Sequence, residues 1–164
     1  AKPSAANAHQ RQLPIPAGAL QSQPAAVMDL FPTVLNVAGV KTPAGHVVDG
    51  LDLRTLLTGK PDRRRPQQFL MHYPHAPHRS DYFTVWRDGD WKVIYHYLPS
   101  EISGGSHYQL FNLKNDPFEQ NDLAAREPRQ LRRMMQGLIT ALERHQAVYP
   151  VAADGATRLK PRLP

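Results

Sequence analysis

Between Tyr82 and Tyr97 the chain alternates with the two-residue period of a strand, rich in aromatic and β-branched side chains. Asp88-Gly89 interrupts it, and Asp-Gly is a favoured pair for a two-residue type I′ turn. The pattern predicts a β-hairpin in which Arg87 faces Asp90, Trp86 faces Trp91, Thr84 faces Val93 and Tyr82 faces Tyr95. One face then carries Tyr82, Trp86, Trp91, Val93 and Tyr95. The other carries Phe83, Val85 and Ile94, with Arg87, Asp90 and Lys92 at the turn end. Neither face is fully polar, and a lone hairpin is marginal in water, so further strands and cover on both faces are expected.

Flanking patterns supply candidates for that cover. Gln68-Phe69-Leu70-Met71-His72-Tyr73 reads as a strand stopped by Pro74, and Tyr108-Gln109-Leu110-Phe111-Asn112-Leu113 as another. Leu131, Met134, Met135, Leu138, Ile139 and Leu142 recur at helical spacing, with Pro128 near the start and Arg144 and His145 near the end. Upstream, Asp29 reads as an N-cap for a short helix bearing Leu30, Phe31, Val34, Leu35 and Ala38, stopped by Gly39. Its apolar face is large for so small an element, so it should dock on a body of protein. Leu51, Leu53, Leu56 and Leu57 make a second helical turn ending at Gly59. The fold class is therefore α+β: a small antiparallel sheet of about four strands packed against one long C-terminal helix, preceded by short helices. Residues 1–27 read as an extended lead-in, 28–66 as short helices and loop, 67–147 as the sheet–helix unit and 148–164 as an irregular tail.

Composition narrows the function classes. The 16 prolines among 164 residues are about twice ordinary usage of ~5%, so long stretches are loop. No apolar run approaches the ~20 residues of a membrane span, no targeting signal is visible, and the absence of cysteine removes disulfides and thiolate chemistry. The net charge of +6 favours anionic partners. Its dense clusters are only Arg63-Arg64-Arg65 and Arg132-Arg133. The first, beside Pro61 and Pro66, reads as a solvated linker. A nucleic-acid binder would need a recognised motif, and none occurs. A sulfated or phosphorylated ligand fits the charge.

The densest chemistry lies in His72-Tyr73-Pro74-His75-Ala76-Pro77-His78-Arg79. Three histidines in a proline-broken loop lack the carboxylates or cysteines of an ordinary zinc site, so contact with an anionic ligand stands level with a plain surface loop. No nucleophile elbow, P-loop or dinucleotide fingerprint occurs, and Asp49 and Asp52 are too sparse a pattern for a calcium loop. The residues alone describe an α+β unit with no catalytic residue and no metal ligand set.

Three ordered blocks resemble a known family. Asp29-Leu30-Phe31-Pro32-Thr33-Val34-Leu35 with Asp49-Gly50-Leu51-Asp52-Leu53 is similar to the segment entering the C-terminal part of type I, formylglycine-dependent sulfatases, of the alkaline-phosphatase-like superfamily. Val85-Trp86-Arg87-Asp88-Gly89-Asp90-Trp91-Lys92-Val93-Ile94 resembles that family's Arg-x-Gly-x-x-Lys hairpin. Tyr108-Gln109-Leu110-Phe111-Asn112-Leu113-Lys114-Asn115-Asp116-Pro117-Phe118-Glu119 resembles its Asn-Asp-Pro block. Order and spacing agree from about residue 13 to 147.

The resemblance implies a parent enzyme that hydrolyses sulfate esters with a formylglycine made in a Cys/Ser-x-Pro-x-Arg motif beside calcium, acting on a sulfated carbohydrate or aryl sulfate. It further implies that the short helices belong with a larger α/β domain, that an N-terminal sulfatase domain is the partner, and that the parent is periplasmic or secreted. Ser22-Gln23-Pro24-Ala25-Ala26 lacks the closing arginine and is read as chance, so this chain alone is expected to be inactive. His72-Tyr73-Pro74-His75 fits a His-x-Pro-His-like stretch, which implies that His72 and His75 face substrate. Arg87 and Lys92 are expected to be structural, and Glu119 and Asn121 to tie down the turn by side-chain-to-backbone bonds. The alternative is a stand-alone, non-catalytic module for anionic glycan, with no role in nucleic-acid or membrane binding.

Overall fold

The structure is a computed structural model that describes residues 15–75 and 81–164. The first 14 residues of the lead-in, and Ala76, Pro77, His78 and Arg79 of the histidine-rich stretch, lie outside the described residues. The chain divides into two compact units, Ala1–Pro66 and Gln67–Pro164.

In the first unit a 3-10 turn, Val27–Asp29, runs into α1 (Leu30–Ala38), and α2 (Arg54–Leu57) follows after a loop. Gly39 ends α1 with a left-handed φ of 69°, where a side chain would be strained. Asp29 does not cap α1 as expected. It already has helical φ and ψ as the last residue of the preceding turn, and its side chain makes no bond to the α1 amides. Its Oδ2 instead accepts from Ala26 N–H at 2.8 Å, and its Oδ1 from Leu51 N–H at 2.7 Å. Arg65 completes the hub, donating from Nη2 to Asp29 Oδ2.

That contact corrects the solvated-linker reading of Arg63-Arg64-Arg65. Only 7% of the Arg65 side chain and 5% of the Asp29 side chain remain exposed, so this is a buried pair. Arg65 also donates to the carbonyls of Pro24 and Leu51, which satisfies donors that burial would otherwise strand. Around the hub, Thr33 donates to Asp29 O at 2.6 Å and accepts from Leu53 N–H at 2.8 Å. Gly50 is required by close approach: a Cβ there would lie 2.1 Å from the Met28 carbonyl oxygen. Gln23 reaches across to both backbone groups of Asp62. Polar bonds between distant segments hold this unit, while Leu30, Phe31 and Val34 stay exposed.

The second unit is a four-stranded antiparallel sheet in the order β1 (Gln68–Tyr73), β2 (Phe83–Asp88), β3 (Trp91–His96), β4 (Tyr108–Asn112), with α3 (Pro128–Arg144) packed on one face. The hairpin register differs from expectation. Trp86 pairs with Val93, Thr84 with Tyr95 and Asp88 with Trp91. The two turn residues are therefore Gly89 and Asp90, with the positive φ of 59° on Gly89, as a type II′ turn requires. Gly-Asp and Asp-Gly overlap here, and sheet pairing decides between them. The slip is two residues, so every side chain keeps its expected face.

Trp86, Val93, Leu110, Met135, Leu138 and Leu142 form the heart of the core. Helix and sheet meet closely at Gly137, where a Cβ would stand 2.6 Å from Trp86 Nε1. The bond pattern near Asn115-Asp116-Pro117 corrects another expectation. Asp116, not Glu119, ties the turn, accepting from Asn121 N–H at 2.8 Å. Glu119, at φ 57°, turns its carboxylate to Lys92 Nζ instead, at 2.6 Å. The tail does not trail away: Val151 bridges Arg158 in antiparallel fashion, and Leu159 and Leu163 pack against the core.

Candidate functional site

His72 lies near the end of β1, an edge strand that Pro74 stops, and His75 follows just past that proline. Alternation sends the last two residues of the strand to opposite faces. His72 shares the helix-side face with Leu70 and sits opposite Thr84, whereas Tyr73 lies on the other face opposite Phe83.

His72 is held at both ring nitrogens. Nε2 is 2.7 Å from Val148 O, and Nδ1 is 2.7 Å from Thr84 Oγ1. Thr84, fully buried, is in turn 2.8 Å from Tyr97 Oη. A carbonyl oxygen only accepts, so His72 must donate from Nε2. In the neutral ring Nδ1 then accepts from Thr84 O–H, and Thr84 accepts from Tyr97 O–H. Each N–H and O–H donor in this hydrogen-bond chain then has one acceptor. Burial pushes the Tyr97 hydroxyl well above the ordinary phenol range, with the Thr84 bond pulling the other way, so Tyr97 stays a donor. The rings of Tyr97 and Tyr149 stand edge-on to His72, each 6.1 Å away.

His75 is exposed. Its ring stands edge-on to Tyr73, 5.6 Å away, and Tyr73 stacks on Phe83 at 5.5 Å. His96 ends the neighbouring strand opposite Phe83 and contacts Gln109 Oε1 from Nε2 at 2.9 Å. The structure thus separates the two predicted site residues: His72 is enclosed in a protein hydrogen-bond chain, and His75 stands at the surface beside an aromatic pair. His78 lies outside the described residues. Among the described residues no three metal-capable side chains gather.

Residues 13–147 match the family described as N-sulphoglucosamine sulphohydrolase, C-terminal. The chain belongs to that sulfatase family. Steryl-sulfatase of Homo sapiens is 30% identical over 163 residues, covering 85% of this chain and 27% of its own length. Steryl-sulfatase of Mus musculus is 29% identical over 167 residues, covering 88% and 26%. Among solved structures, a protein in complex with its substrate D-glucosamine-2-N,6-O-disulfate aligns with a TM-score of 0.55 at 25% identity. That alignment covers 72% of this chain and 24% of the other. The chain spans about a quarter of the length of the relatives it matches, and it corresponds to the C-terminal part of a sulfatase.

Within this sulfatase C-terminal part, sequence reasoning missed the partners of His72. One signal was available: Thr84 is a polar residue on the otherwise aromatic and aliphatic face of Tyr82 and Trp86. A buried hydroxyl there demands a partner. Val148 carried no signal, because it acts through its backbone carbonyl from 76 residues away.

Proposed function

We propose that this chain is the C-terminal region of a sulfuric ester hydrolase, completing the enzyme's fold and contributing His75 to the substrate side. The carrying observation is the family match over residues 13–147 in a chain that spans about a quarter of its relatives. The exposed apolar side chains Leu30, Phe31 and Val34 on α1 support packing into a larger body, here an N-terminal sulfatase domain. The substrate class is a sulfated carbohydrate or an aryl sulfate, and the net charge of +6 favours such anions. The parent is periplasmic or secreted.

Calcium and a formylglycine are the groups the family implies for the parent. The residues here do not fit either: the sequence has neither a cysteine nor a Ser-x-Pro-x-Arg stretch, and no metal-capable cluster forms among the described residues. What these residues do is hold and present. His72 anchors the end of β1, Tyr73 and Phe83 form an aromatic ledge, and His75 stands exposed beside it, where an imidazole can donate a hydrogen bond to a sulfate oxygen.

The test is His75→Ala in the intact enzyme, assayed on an aryl sulfate and on a sulfated amino sugar. Loss of one such bond predicts a fall in kcat/KM of about tenfold on the preferred substrate. Unchanged kcat and KM on both would remove His75 from the substrate side. Absence of sulfate release by the unsubstituted intact protein would remove the hydrolase reading itself.

A further inference from the structure

Most of the segment after α3 lies beyond the family match, which ends at residue 147, yet it is bound across the sheet–helix unit from one edge strand to the other. It begins where Gln146 takes a φ of 50° and Ala147 N–H returns to Leu142 O, turning the chain off the helix. The very next carbonyl, Val148 O, accepts from His72 on edge strand β1. Tyr149 then packs edge-on to the His72 ring, with Lys160 Nζ 5.6 Å from the Tyr149 ring centre. A small loop closes on itself through Ala152 N–H to Thr157 O and Leu159 N–H to Pro150 O, both 2.8 Å. Leu159 and Leu163 insert against the core, and Tyr108 on edge strand β4 donates to Arg162 O at 3.2 Å.

From this placement we propose that residues 147–164 form a strap that ties β1 to β4 and makes His72 a positioning residue. The strap carbonyl selects the Nε2–H tautomer of His72. That choice orients the hydroxyls of Thr84 and Tyr97 in one direction and pins the last turn-free residues of β1, from which His75 emerges three positions later. The consequence for substrate contact rests on the reading of His75 given above. The strap itself does not, and its test uses no turnover.

The experiment is histidine-selective 15N NMR on the intact protein, combined with amide hydrogen exchange. His72 is expected as a single Nε2–H tautomer; the Nδ1–H tautomer, or a mixture of both, would overturn the proposal. His72→Phe removes the donor to Val148 and is expected to speed exchange at the Ala152 and Leu159 amides about fivefold, the worth of roughly one net hydrogen bond. It should also shift the His75 ring resonances while β2 and β3 keep their protection. His72→Gln, whose side-chain amide can still donate to Val148 O, is expected to restore strap protection. Equal strap protection in the Phe and Gln variants would reduce His72 to a packing residue and defeat the proposal. If His72→Phe fails to fold, the tautomer in the unsubstituted protein still decides.

Discussion

The two units of the chain are held together by opposite means. In the first, segments far apart in sequence converge on one carboxylate, Asp29, and on the Arg65 guanidinium that neutralises it. In the second, α3 buries Met134, Met135, Leu138 and Leu142 against Trp86, Val93 and Leu110. Apolar burial is non-directional and is shared among many contacts, whereas a buried ion pair concentrates its consequences in two side chains. The first unit should therefore fail at a point. The second should yield by degrees.

The largest effect is expected at that point. Asp29→Ala leaves the Arg65 guanidinium buried without its counter-charge and frees the Ala26 and Leu51 amides, a loss on the order of 3–5 kcal/mol. Hydrogen exchange at residues 26–66 reports it. Protection there equal to that of the unsubstituted chain would dissolve the contrast between the units.

A smaller effect is expected from a change that adds to the apolar unit. Gly137→Ala drives a methyl to 2.6 Å from Trp86 Nε1, and this large buried ring cannot swing away. Overpacking of this kind costs about 1–3 kcal/mol. Chemical denaturation followed at the sheet amides measures it, and a neutral outcome would mean that α3 can slide on the sheet.

Acid should give the mildest separation. Hydrogen bonds from the Arg64 side chain and backbone hold the Asp62 carboxyl down to about 2 from an ordinary 3.8, and Asp29 is lowered too. For Asp29 burial acts upward, but the Leu51 and Ala26 amides and Arg65 outweigh it. Lowered carboxyls stabilise fully above the ordinary value of 3.8, and the contribution is lost as pH falls toward about 2. The first unit should therefore loosen in that window. In the second, Asp116 and Asp154 shift in the same direction but belong to surface turns, so acid should fray turns there and leave the core. A core that melts together with the first unit above pH 3.8 would contradict this ordering.

These differences also explain what the sequence disclosed. The helical stripe from Leu131 to Leu142 and the two-residue rhythm of the hairpin are periodic, and periodicity survives even when register does not. The slip from a Trp86–Trp91 to a Trp86–Val93 pairing left both faces intact because it was an even step. Asp29 was misread because a carboxylate just ahead of a helix is locally a cap, and only the fold reveals a partner 36 residues away. Arg65 was misread for the same reason, as a proline-flanked basic run gives no sign of which member turns inward. At the candidate site, the resemblance located His72 and His75 together. A backbone acceptor beyond the matched region encloses His72, while His75, past the end of the strand, stays exposed.

The close seat of Trp86 beneath Gly137 has an optical consequence. Both tryptophans and all six tyrosines of the chain lie in Gln67–Pro164, leaving Phe31 as the one aromatic residue in the first unit outside its histidines. Indole emission, with Trp86 shielded and Trp91 half-exposed, is therefore a built-in gauge of whether the helix is seated on the sheet. The Asp29 hub has no indole or phenol of its own. What a fluorescence melt of this protein follows directly is the seating of one helix on one sheet.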